Sequence, residues 1–190
     1  MERRNSVSNF FLMNSATGTI TRLTKLTESS LIVHWLTEEA GLIKTVAKGA
    51  RRPKSTYAGQ LDLFHRAEFL WSPARSGELH RLGEVTVHGH REGLRGSYGQ
   101  TLMATYFCQL IERVTEPGVP VPEFYFLLEK ALDYLSESAH LRVMQRFEKR
   151  VALLLGVLGE GGDAASALLS HCGDLPGSRR QVLAHFSKET

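Results

Sequence analysis

The stretch Leu31-Ile-Val-His-Trp-Leu-Thr37-Glu-Glu-Ala-Gly41-Leu-Ile-Lys-Thr-Val-Ala-Lys-Gly49 reads as two short strands joined by a turn. Leu31–Thr37 and Leu42–Gly49 are rich in β-branched and large apolar residues, and Glu38–Gly41 between them is polar and ends on glycine. Working outward, Thr27–Ser30 is a polar turn, and Thr19–Leu26 before it is a third run rich in β-branched residues. Downstream, Leu61–Trp71 and Glu78–His88 flank the turn Ser72–Gly77. Five short strands at this spacing predict a small barrel or sandwich, and a five-stranded OB barrel is one such solution. Residues 1–16 are polar and rich in Ser and Asn, so they are expected to be a flexible N-terminus, with the strand domain over 17–90.

The texture changes after Gly96. Leu102, Met103, Tyr106, Phe107, Leu110, Ile111 and Val114 recur at the spacing of an amphipathic helix over Ser97–Val114, stopped by the proline-rich 116–122. A second helix is expected from Pro122 to Ser136, a third from His140 to Leu158 ending at Gly159–Gly162, and shorter ones over Asp163–His171 and Ser178–Phe186. The fold class is α+β, a strand domain followed by an all-helical domain over 97–190.

Composition bounds the chemistry. The 190 residues, 42% hydrophobic and 23% charged, lie in the globular range and can bury a core without staples. The net charge of +3 is unevenly spread. Residues 1–101 hold 14 Lys and Arg against 9 Asp and Glu, a balance of +5, whereas residues 102–190 hold 9 against 11, a balance of −2. That asymmetry is what a polyanion-binding module joined to a neutral one would show. Cys108 and Cys172 are too few for a disulfide framework and form no CxxC pair, so they read as buried small hydrophobes. No apolar run approaches the ~20 residues of a membrane helix, and Phe10–Met13 is too short for a signal peptide. A cytoplasmic location is expected.

The strongest local feature is Lys44-Thr-Val-Ala-Lys48-Gly-Ala-Arg51-Arg52-Pro-Lys54-Ser55, five cations in eleven positions with no acid between Glu39 and Asp62. Gly49, Pro53 and Gly59 punctuate a strand running into an exposed loop, which presents Lys44, Lys48, Arg51, Arg52 and Lys54 to solvent. Cations so placed can hold phosphates, with Arg able to bind in bidentate fashion, and such contacts position a nucleic acid without reading its sequence. Tyr57 follows the cluster and could stack on a base. The competing reading is a solvated loop whose charges serve solubility.

Thr37–Ser55, preceded by Glu28–Val33, closely resembles the N-terminal region of RecO proteins. The resemblance extends to Leu61–Phe64 and, more loosely, to a helical domain containing Arg146-Phe-Glu-Lys-Arg150. It implies an OB domain followed by a helical domain. It also implies a recombination mediator without enzymatic activity, found in the bacterial cytoplasm in association with the nucleoid. RecO proteins bind single- and double-stranded DNA, promote annealing, and act with RecR to help RecA displace single-stranded-DNA-binding protein, whose acidic, apolar C-terminal tail they contact. Carried over residue by residue, this points to Lys48, Arg51, Arg52, Lys54 and Lys44. Many members carry a zinc-binding cysteine cluster after the third helix. This chain has only Cys172 there, so no metal and no cofactor is expected.

Arg142, Arg146, Lys149 and Arg150 lie at helical spacing beside Val143, Phe147 and Val151, an apolar strip edged with cations that would suit a peptide ending in acids and a Phe. Other constellations point elsewhere. His88 and His90 share a strand face with His80 nearby, but no acid or cysteine completes a ligand set, so they read as exposed or hydrogen-bonding histidines. There is no GxxxxGK[ST] loop and no GxSxG elbow, and adjacent Glu38 and Glu39 would point apart on a strand. No catalytic set emerges. The rival to a DNA mediator is a generic OB interaction module for RNA or protein partners.

Overall fold

The computed structural model describes residues 13–187. Five strands come first, β1 (Asn14–Lys25), β2 (Leu31–Thr37), β3 (Gly41–Ala47), β4 (Arg66–Ser72) and β5 (Leu79–Gly89). A one-turn 3₁₀ helix (Glu92–Arg95) leads to α1 (Tyr98–Val114), α2 (Pro122–Leu135), α3 (Leu141–Leu154), α4 (Ala164–Cys172) and α5 (Ser178–Phe186).

The strands close into a barrel in the order β1-β2-β3-β5-β4, the connectivity of an OB fold. Closure depends on the long β1. Its first half pairs with β4 and its second with β2, with a bulge between Ile20 and Arg22 where the strand changes course. Along β3 burial alternates residue by residue, placing Ile43, Thr45 and Ala47 inside and Lys44 and Val46 outside. Trp35 stacks on Phe69 with ring centroids 4.0 Å apart, and its indole N–H donates to the Thr45 hydroxyl at 2.9 Å. A buried polar pair is thereby satisfied inside the barrel. The β3–β5 contact is parallel and spans three pairs, Lys44↔Leu79, Thr45↔His80 and Val46↔Arg81.

Helix α1 is the axis of the helical half. Met103, Phe107, Leu110 and Ile111 are fully buried, and Phe107 stacks on Phe147 of α3 at 3.8 Å. Tyr106 donates to the buried Glu148 of α3 at 2.6 Å, and Arg179 of α5 donates to the same carboxylate at 2.7 Å. Burial and the Glu148 charge push the Tyr106 phenol far above its ordinary value, so it stays a donor.

The two halves share a core. Leu36 of β2 and Phe64 pack into the helical cluster and not into the barrel. Arg91 ties the junction with a side chain 7% exposed. It donates to the Phe64 carbonyl and the Thr19 hydroxyl (both 3.1 Å), to Glu129 at 2.9 Å and to Asp133 at 2.7 Å. Thr19 donates in turn to Glu129. The β2–β3 turn abuts the α1–α2 linker: Gly118 N–H donates to the Leu42 carbonyl at 2.9 Å, and a Cβ on Gly41 (φ +64) would lie 1.9 Å from the Val119 carbonyl oxygen. Only glycine fits there.

Several sequence-based boundaries shift. The segment expected to be flexible over 1–16 is strand at its end, since Asn14, Ser15 and Ala16 pair with Trp71, Leu70 and Phe69, and residues 1–12 lie outside the described residues. Leu61–His65 is not strand. Phe64 adopts φ 68, its N–H donates to Ile20 and the His65 carbonyl accepts from Ile20, so this apolar run packs as an irregular crossing between β1 and β4. Helix α3 stops at Leu154 instead of Leu158 because Gly156 turns left-handed at φ 69, while Val157 and Leu158 still pack on the core from irregular chain. Cys108 is buried as expected and Cys172 is only partly so.

Candidate nucleic-acid interface

Beyond Ala47 the chain leaves the barrel in successive turns. Arg52 N–H donates to Gly49, Ser55 to Arg52, Ala58 to Ser55 and Gln60 to Tyr57, at 3.0–3.2 Å, with Gly49 and Gly59 both left-handed. The loop is fastened at two points. Arg51 donates through its backbone to the Ser29 carbonyl at 3.1 Å and through its guanidinium to the Glu28 carbonyl at 3.3 Å, docking it on the β1–β2 turn. Tyr57 donates its hydroxyl to the Leu82 carbonyl at 3.1 Å and packs with Ala50 and Leu61 on the barrel core.

Lys48, Arg51, Arg52 and Lys54 are exposed on this fixed loop. Among the described residues no carboxylate lies within ion-pair distance of any of them. Two of the sequence-predicted residues stand differently. Tyr57 is half-buried and used for packing, and burial raises its phenol above the ordinary value against the opposing charge of Arg81. Its ring is a strut under the loop more than an open stacking platform. Lys44 is neutralised, because its Nζ lies 2.7 Å from Glu78, the last residue of the turn before β5.

The register adds cations that the sequence run does not contain. Arg81 of β5 pairs with Val46, beside the strand that feeds the loop, and Arg75 is exposed in the β4–β5 turn. On the outer face Arg22, His34 and Lys44 are cross-strand neighbours on β1, β2 and β3. Burial first, then the charges of Arg22 and Lys44, lower the His34 pKa to about 4, so the imidazole between them is neutral at pH 7. Arg22 itself is paired to Glu112 of α1. A parallel β3–β5 register is set by chain returning some 35 residues later, and no local pattern could have placed Arg81 or Glu78 beside Lys44.

A second concave site lies between α2 and α3, a groove of 220 Å³. Leu127, Ala131, Val143 and Phe147 form its apolar floor with Tyr134, and Lys130, Arg146 and Arg150 edge it. Of the residues expected here, Val143, Arg146, Phe147 and Arg150 are brought together. Arg142 lies outside the lining, Val151 is fully buried, and Lys149 faces the opposite side, near Asp163 and Ala164. Lys130 and Tyr134 were missed because they belong to α2, whose apolar period marks its core face and not its rim.

The histidines take separate neighbours. His88 lies 3.8 Å from Glu68, His90 packs edge-on to His65, and His80 packs on Trp71 while accepting from Ala74. Among the described residues no group of three His, Cys, Asp or Glu side chains converges as a metal site, and no helix is long and apolar enough to cross a membrane.

Comparison with known proteins matches the family "Recombination protein O N terminal" over residues 13–90 and "Recombination protein O C terminal" over residues 95–164. A DNA repair protein RecO of Listeria monocytogenes is 30% identical over 146 residues, covering 76% of this chain and 56% of its own. The DNA repair protein RecO of Pelobacter propionicus is 31% identical over 132 residues, 70% of this chain and 52% of its own, and that of Trichodesmium erythraeum 30% over 125 residues, 66% and 43%. The chain thus spans about half the length of these relatives.

Proposed function

The chain belongs to the RecO family, and on that premise we propose that it is a mediator of DNA recombination and repair that holds single- and double-stranded DNA on its barrel and performs no catalytic step itself. The observation that carries this reading is the fixed, exposed loop of Lys48, Arg51, Arg52 and Lys54, uncompensated by acids among the described residues and flanked by Arg81. These side chains meet phosphates, so the release of condensed counterions drives binding, and the bases stay free to pair. Annealing follows when two strands are held with their charge neutralised. Acting with RecR, the protein helps RecA load on DNA coated by single-stranded-DNA-binding protein, in the bacterial cytoplasm at the nucleoid. The α2–α3 groove takes the acidic, apolar C-terminal tail of single-stranded-DNA-binding protein: its floor suits a Phe side chain and its rim of Lys130, Arg146 and Arg150 suits carboxylates.

The test is fluorescence-anisotropy binding of labelled single-stranded DNA across a salt series, wild type against Lys48→Glu/Arg51→Glu/Arg52→Glu. Wild-type affinity should fall linearly on a log–log salt plot and the triple variant should bind at least tenfold more weakly. Equal binding by a folded variant moves the site off this loop. Tighter binding of a structured RNA than of DNA would favour a general OB interaction module.

A further inference from the structure

Among the described residues, Lys44 is the one cation of the basic run that another side chain already occupies. Its Nζ lies 2.7 Å from a carboxylate oxygen of Glu78, across the parallel seam between β3 and the approach to β5. A phosphate oxygen would take the same position, with the same sign of charge and the same donor. We infer that Glu78 is a built-in competitor for Lys44, one that nucleic acid must displace to gain a further phosphate contact. This inference rests on the barrel's basic face being the DNA site.

Exposure decides that the pair can open. The Glu78 side chain is 63% exposed and that of Lys44 35%, and an exposed lysine–carboxylate pair is weak and screened by salt. Glu78 ends the 73–78 turn directly after Gly77, which is left-handed at φ 75 with no atom within 4 Å of where a Cβ would stand, so nothing packs on the turn at that position. The other cation beside His34 behaves differently. Arg22 is held by Glu112, whose side chain is 12% exposed and also accepts from Thr21, so it stays engaged with α1. Of the two, only Lys44 can be recruited. Once freed it extends the phosphate track from Lys48 along β3 toward His34.

The experiment measures single-stranded DNA affinity over a salt series for wild type, Glu78→Gln, Lys44→Gln/Glu78→Gln and Glu68→Gln. Glu68 lies on β4 beside Ser15 and His88, away from Lys44, and its variant makes the same change in net charge. Glu78→Gln should bind about 2–5-fold tighter at low salt, the size of one exposed pair. Its log–log slope should steepen by up to about 0.7, the value of one single-strand phosphate contact. The double variant should lose the gain, and Glu68→Gln should show none. Wild-type binding with no gain in Glu78→Gln, or an equal gain in Glu68→Gln, would overturn the competitor role while leaving the DNA site standing. Failure of the wild type to bind DNA would overturn both.

Discussion

His34 shows how a single side chain carries the electrostatics of the barrel's outer face. It stands between Arg22 and Lys44 on neighbouring strands, and burial together with those two charges lowers its pKa from 6.5 to about 4. The unfolded chain takes up a proton near 6.5 and the folded chain only near 4, so the stability due to the neutral imidazole is complete above 6.5 and lost as pH falls through that window. His80, also lowered chiefly by burial, adds loss of the same sign. Urea midpoints measured from pH 7.5 to 4.5 should therefore decline, and His34→Gln should flatten the decline to the part His80 contributes. A wild-type midpoint constant across that range would contradict the placement of His34. At this scale much was legible: Lys48, Arg51, Arg52 and Lys54 declare themselves because they are contiguous and lack acids in sequence. The neutralisation of Lys44 was not, since Glu78 comes 34 residues later and reaches it only through a non-local strand pairing.

Elements were legible where their ends carry local chemistry. Ser97 and Asp163 accept from Gln100 and Ser166 as N-caps, and Pro122 opens α2, so three helix starts fall where the sequence puts them. Leu61–His65 carries the apolar texture of a strand, whereas its backbone forms a crossing fixed by Ile20. The end of helix α3 is obscured in the sequence because its apolar texture runs on past the left-handed Gly156 to Val157 and Leu158. The groove between α2 and α3 is likewise a property of two elements. From one helix the cations Arg142, Arg146, Lys149 and Arg150 look equivalent, yet only Arg146 and Arg150 edge the groove once α2 is in place. A fluorescent peptide ending in acids and Phe should accordingly lose about tenfold in affinity with Arg146→Glu/Arg150→Glu, while Lys149→Glu should leave it within about twofold. Equal losses from both would place the peptide elsewhere on α3.

Across the whole molecule, barrel and helices are bound by shared burial more than by a linker. Leu36 and Phe64 sit in the helical core, and Arg91 gathers Thr19, Phe64, Glu129 and Asp133 at the junction. Its backbone is left-handed at φ 47, a conformation that costs a non-glycine residue about 1–2 kcal/mol and that the four contacts offset. Both tryptophans, Trp35 and Trp71, lie in the barrel, whereas far-ultraviolet circular dichroism is dominated by the helices. The two signals should lose structure at one urea midpoint. Arg91→Met should lower stability, by less than the roughly 3–5 kcal/mol of a fully stranded buried charge because Arg66 still lies 3.4 Å from Glu129, and Arg91→Met/Glu129→Met by less again. Separate midpoints in the wild type would show that the halves fold independently. The barrel, for its part, is closed unevenly: β3 meets β5 over three residue pairs, between strands whose other neighbours run antiparallel for longer. A cask gives first at its shortest stave, and Lys44 and Arg81 stand on either side of this one. A strand of nucleic acid laid across both would act as a hoop, drawing the thinnest joint of the barrel shut as it is gripped.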